Sequence, residues 1–135
     1  MMYSKQVFDQ NGIKNIGVAG HPDGSPDFSD EITLAALRWK QNLSVRSDAK
    51  FRIVTQFGFD ADSFISWAKS IRSADIKLPI HLGVAGPAKL TTLVRFAKAC
   101  GVDNSIALLK KHPNTPMMLA TGFEPENIVS LLEQY

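Results

Sequence analysis

Phe51-Arg52-Ile53-Val54-Thr55-Gln56-Phe57 is the stretch on which the fold turns. Phe51, Ile53, Thr55 and Phe57 fall on one side of an extended chain, and Arg52, Val54 and Gln56 on the other. That period of two is what a β-strand imposes. After the run, Asp60 or Asp62 can cap a helix whose apolar stripe is Phe64, Ile65, Ala68 and Ile71. Upstream, Ile13 to Ala19 reads as a strand, followed by the loop Gly20-His21-Pro22-Asp23-Gly24-Ser25-Pro26. Ser29 can cap the next helix, with Asp30 and Glu31 in its first turn, where acids suit the helix dipole. The spacing predicts that this helix buries Ile32, Ala35, Ala36, Trp39 and Leu43, with Arg38, Gln41 and Asn42 on its polar face. Downstream, Leu78 to Val84 is nearly all apolar, as expected of a strand covered on both faces. Gly86 and Pro87 then open a helix with Leu90, Leu93, Val94 and Ala97 at core spacing, ended by Gly101.

The middle of the chain therefore reads β-α-β-α-β-α. Strands joined through helices by short loops run parallel, with right-handed crossovers. A short helix over 3–11 is expected to stop at Gly12, a left-handed terminator. Ile106 to His112 reads as another helix, capped by Asn104, and His112-Pro113-Asn114-Thr115-Pro116 as a breaker cluster. A last helix starts at Pro125, with Ile128, Leu131 and Leu132 inward. The expectation is an α/β protein: one domain over residues 1–135, a partial (half) TIM-type (β/α)8 barrel with three parallel strands and flanking helices. A complete barrel takes about 250 residues.

Composition narrows the class. The 135 residues are 44% hydrophobic and 21% charged, which excludes a disordered or collagen-like chain. No window approaches the roughly 18 apolar residues of a membrane helix. A net charge of +2 is too weak and scattered to argue for nucleic acid. A single cysteine, Cys100, excludes an intrachain disulfide, and the N-terminus has no signal-peptide core, so a cytoplasmic setting is expected.

Candidate chemistry is sparse. Gly17-Val18-Ala19-Gly20 and Gly83-Val84-Ala85-Gly86 echo each other at strand ends. Their N–H groups could cradle a phosphate, or the glycines could serve only tight turns. His21 and His81 lie near strand ends, where barrel metal sites are built, but no His-x-His pair accompanies them, and no metal is expected. Cys100, at a helix end, reads as packed and inert. Gln56 lies near the carboxyl end of a largely apolar strand. Either neighbouring backbone satisfies its amide, or the amide is aimed at a heterocyclic ligand.

Val54-Thr55-Gln56-Phe57-Gly58-Phe59-Asp60 resembles the T-Q-F-x-F-D segment of methylenetetrahydrofolate reductases. Gly17-Val18-Ala19-Gly20-His21-Pro22-Asp23, Leu78-Pro79-Ile80-His81-Leu82-Gly83-Val84 and Phe96-Ala97-Lys98-Ala99-Cys100-Gly101-Val102 are similar to further segments of that family, in the same order from about residue 13 to 102. The resemblance implies a flavin-containing (β/α)8 barrel. Hydride passes from a nicotinamide donor to FAD and then to 5,10-methylenetetrahydrofolate, giving 5-methyltetrahydrofolate. On that resemblance Gln56 faces the pterin, Phe96 lies against folate or nicotinamide, and Thr92 stands where relatives have a substrate-contacting glutamine. His21 takes the place of a tyrosine near the flavin, Asp23 of a glutamate and Ser25 of a histidine. Lys40 matches a basic residue at the flavin's adenosine and phosphate end, and Trp39 departs from the usual arginine.

The family's catalytic glutamate and flavin-tuning aspartate would come from strands ahead of Met1, and a substrate-binding arginine from a strand after Tyr135. No catalytic residue is therefore expected among 1–135, and the isolated chain is expected not to turn over. A non-catalytic folate- or flavin-binding or assembly module is the alternative, and a metal-dependent hydrolase using His21 and His81 a weaker one. Open strand edges and interior side chains such as Val54 and Val18 lead to the expectation of a homo-oligomer or a missing half-barrel, unless the last helix closes the open side.

Overall fold

The computed structural model describes residues 10–58, 60–101 and 126–134. Three strands, β1 (Asn15–Gly20), β2 (Lys50–Gly58) and β3 (Ile80–Val84), form one parallel sheet in the order β1-β2-β3. Helices α1 (Asp30–Val45) and α2 (Ala61–Ser73) make the two crossovers. Helix α3 (Leu90–Ala99) follows β3, and α4 (Glu126–Leu132) lies against α2. The architecture is the expected α/β alternation and is consistent with part of a (β/α)8 barrel.

Register sorts the side chains into two faces. Val18 pairs with Ile53 and Ile53 with Ile80, an apolar row on the side covered by helices. Ala19 pairs with Val54 and Val54 with His81, a row on the other side. On the covered side Phe51, Ile53, Leu37, Ile71 and Ile76 make one cluster, with Leu34, Leu43 and Trp67 packed on it. A second cluster gathers Ala61, Phe64, Ala85, Leu93 and Ala97, with Leu82 and Leu132 against it. β3 is thus covered on one face only, because His81 on its other side is exposed.

Helix α1 is rotated from its expected setting. Leu37 is its buried residue, whereas Ile32 and Trp39 are about half exposed and Ala35 is exposed. Two sides of this helix are apolar, and the one bearing Leu34, Leu37 and the Gln41 amide meets the sheet. Val18 likewise belongs to the helix-covered cluster, not to the open side, because Gly17 and Ala19 occupy the alternate positions of β1. Ser29 is the N-cap residue of α1 but makes no side-chain cap bond. Its hydroxyl instead donates to the Glu31 carboxylate, which holds that carboxyl below its ordinary range, with help from Glu31's own backbone N–H. Asp60 caps α2 as expected, its Oδ2 accepting from the Ser63 N–H at 2.9 Å and from the Ser63 hydroxyl at 2.8 Å.

The connection into β3 is fastened from two helices. Arg72 Nη1 donates to the Ile76 carbonyl at 2.6 Å and to the Leu78 carbonyl at 3.0 Å. Gln41 of α1 donates through Nε2 to the Asp75 carbonyl at 2.9 Å and accepts from the Lys77 N–H. Asp75 sits at φ 62° inside that loop. Gly12 has φ 66°, the terminator conformation expected of it. Most of the helix expected over 3–11, the whole of that over 106–112 with its Asn104 cap, the cluster at 112–116 and the side chains of Leu90, Ile128 and Leu131 lie outside the described residues.

Candidate functional site

The upper ends of the strands carry the site. Strand β2 departs from regular pairing between Val54 and Phe57, an irregularity of the β-bulge kind. Thr55 is buried, and its Oγ1 accepts the Gly83 N–H at 2.9 Å. A Cβ on Gly83 would stand 2.7 Å from the Thr55 carbonyl oxygen, so only glycine lets β3 approach here. Gly20 answers the same need in β1: a Cβ there would meet Ile53 Cγ2 at 2.6 Å and the Trp67 ring at 2.8 Å. Gly20 and Gly83 are therefore set by close packing, whereas a Cβ on Gly86 would meet nothing within 4 Å. Gly17 and Gly20 lie inside β1 and Gly83 inside β3, where its N–H is already taken. These three strand glycines do not form a phosphate cradle.

Gln56 follows Thr55 and is partly exposed. Its Oε1 accepts the Phe57 N–H at 3.3 Å, so the backbone satisfies the carbonyl half of the amide. The Nε2 end carries two further donors, suited to the carbonyl and ring-nitrogen acceptors of a heterocycle. Thr92 and Phe96 lie one turn apart on α3, both exposed, while Leu93 and Ala97 point into the core. Phe96, 57% exposed, offers a bare aromatic face. Cys100 is the half-buried C-cap of α3.

A cleft of about 1140 Å³ opens on the helix side, between the β1–α1 loop, α1 and α2. His21, Asp23 and Ser25 line it, over a floor that includes Leu37 and Trp67. The loop is shaped by a turn in which the Gly24 N–H donates to the His21 carbonyl at 3.1 Å, with Gly24 at φ 81°. The structure thus brings three of the four flavin-assigned residues together, but Lys40 is not a wall of this cleft. The lining carries five carboxylates, Asp23, Asp30, Glu31, Asp60 and Asp62, and no lysine or arginine. A dinucleotide's diphosphate would meet like charge there, so these residues as arranged do not fit that end of FAD. His21 and His81 are separated by β2 and face different sides of the sheet, so the two-histidine arrangement is not formed. Among the described residues no three His, Cys, Asp or Glu side chains are placed to hold one metal ion, and no helix is long and apolar enough to cross a membrane.

Two features were not legible in the sequence: the cleft and the bulge at Thr55-Gln56. Both depend on contacts between segments far apart in the chain. The nearest signal was the pairing of a buried threonine with a glycine on the neighbouring strand.

Parallel strands joined through helices, with a polar residue at the carboxyl end of a strand and an aromatic from the following unit, make this an α/β protein of consecutive βα units, consistent with part of a TIM-type barrel. Comparison makes the family definite. The model of the methylenetetrahydrofolate reductase family matches residues 5–120, and this chain belongs to that family. It is 40% identical over 88 residues to methylenetetrahydrofolate reductase 1 of Schizosaccharomyces pombe, covering 64% of this chain and 14% of that protein. It is 32% identical over 84 residues to methylenetetrahydrofolate reductase 2 of Saccharomyces cerevisiae, covering 62% of this chain and 13% of that protein. The chain therefore corresponds to a small part of these relatives' length.

Proposed function

We propose that this chain supplies consecutive βα units of a (β/α)8 barrel that reduces 5,10-methylenetetrahydrofolate to 5-methyltetrahydrofolate with a nicotinamide donor, and that its own part lies on the folate side. The observation that carries this reading is Gln56. It stands at the carboxyl end of β2, with its carbonyl held by the Phe57 N–H and its amide nitrogen left as a two-hydrogen donor. Phe96 then provides a surface on which a planar ring can stack, and Thr92 a hydroxyl one turn away. FAD is the cofactor that the family implies. Its diphosphate needs cations that the acidic cleft does not carry, so we put no diphosphate contact on His21, Asp23 and Ser25. The family match favours this reading over a binding-only module.

The test is titration of the chain with 5-methyltetrahydrofolate, followed by calorimetry, for the parent and for Gln56→Ala. Loss of one hydrogen bond to a neutral heterocycle costs about 1–2 kcal/mol, so affinity should fall roughly ten-fold while the melting temperature stays nearly constant. Equal affinities in parent and variant would refute the role.

A further inference from the structure

The outward side of α1 has a use that the folate reading does not absorb. Phe28, just ahead of the helix, is 56% exposed, Ile32 is 56% exposed and Trp39 is 50% exposed, with Ala35 exposed between them. At roughly 100° per residue, Ile32, Ala35 and Trp39 fall in one narrow sector, on the side away from buried Leu37. By contrast, the open face of the sheet offers one large exposed apolar side chain, Val54, among Gly17, Ala19, Arg52 and His81. The strongest apolar surface of the described residues is therefore on this helix and not on the open sheet.

Charge along one flank of the stripe changes sign. Glu31 and Arg38 are both exposed, lie two turns apart on the same edge, and are centred on Ala35 within half a residue. Ile32 and Trp39 are centred half a residue to the other side of Ala35. Such a stripe is complementary to itself when reversed. A two-fold axis through its middle sets each acidic position opposite the basic one of the other copy, and the small central side chain lets two helices approach.

We propose that α1 is a self-association surface, on which two copies of this chain pack α1 against α1, antiparallel, about a two-fold axis at Ala35. Ile32 then lies beside Trp39 of the partner subunit, and Glu31 beside Arg38 of the partner subunit. The apolar stripe supplies affinity, and the two charge pairs fix direction and register. The stripe belongs to α1, whereas Gln56 lies on β2 and Thr92 and Phe96 on α3, so this inference stands apart from the folate reading.

Sedimentation of the full chain at micromolar concentration tests it. The parent should run at twice its 14.8 kDa mass. Arg38→Glu sets two acids against each other at both ends of the contact, and should raise the dissociation constant about ten-fold or more. Glu31→Arg should do the same, and the double exchange Glu31→Arg with Arg38→Glu should restore the dimer. Both positions are exposed, and unchanged far-ultraviolet circular dichroism confirms that each variant is folded. A monomeric parent, as expected if another protein or barrel segment covers α1, overturns the proposal. So does an Arg38→Glu variant that dimerises like the parent, or a double exchange that stays weak. Titration with 5-methyltetrahydrofolate on the same samples reads the folate site separately.

Discussion

The two faces of the sheet share three strands and one register, yet they are built to opposite rules. The covered face places Val18, Ile53 and Ile80 side by side under α1 and α2, and Ile53 has no accessible surface. The other face runs Ala19, Val54 and His81 in the neighbouring row, with Val54 still 43% exposed. Adjacent residues of one strand, Ile53 and Val54, thus live in different media. Stability comes from one face, where burial of each large apolar side chain contributes about 1.5–3 kcal/mol. The other face keeps its polar groups available at the strand ends, and Gln56 is the one at the carboxyl end of β2.

The sharpest way to break this contrast is to truncate the two neighbours in turn. Ile53→Ala should cost about 2–5 kcal/mol in urea unfolding, through lost burial and the cavity left behind. Val54→Ala should change stability by no more than about 0.5 kcal/mol. Similar losses at both positions would mean that something covers the open face in solution. A smaller effect is expected where the faces meet. Gly83→Ala drives a Cβ against the Thr55 carbonyl oxygen, where backbone has little room to yield, and should cost about 1–3 kcal/mol by the same measurement. The smallest effect belongs to the outer surface. The Ser29 hydroxyl holds the Glu31 carboxyl below its ordinary range, so the folded chain binds its proton less readily than the unfolded one. The small stabilisation is complete above the unfolded value and fades as pH falls through the folded one. Unfolding midpoints of parent and Glu31→Gln, compared from pH 7 downward, should converge in that acid range, and a gap that widens on acidification would contradict the sign.

Strands were legible because their periodicity is intrinsic. Phe51, Ile53 and Thr55 are buried as their alternation with Arg52 and Val54 predicts. The parallel order follows from helices too long to be hairpin turns. Helix α1 misled because apolar residues occur on two of its sides, and hydropathy does not say which side meets a sheet. Leu37 and the hydrogen-bonded Gln41 decide it, and neither signal is local. The site was legible in part. Gln56 stands out as a polar residue on an apolar strand, but the irregular pairing between Val54 and Phe57 involves another strand, where Gly83 approaches the Thr55 carbonyl. His21, Asp23 and Ser25 were read correctly as neighbours on one loop, while the acidic rim around them is assembled from two helices and could not be seen in either alone.

The fastening of the loop before β3 has a kinetic side. Gln41 grips Asp75 and Lys77 over sequence separations of 34 and 36, so an outer-loop amide is tied to a helix formed much earlier in the chain. The Lys77 amide can exchange with solvent deuterium only when that grip opens. Its protection therefore reports how often α1 lifts from the sheet, not how often a surface loop stirs. One exposed backbone hydrogen becomes a clock for the docking of the first crossover.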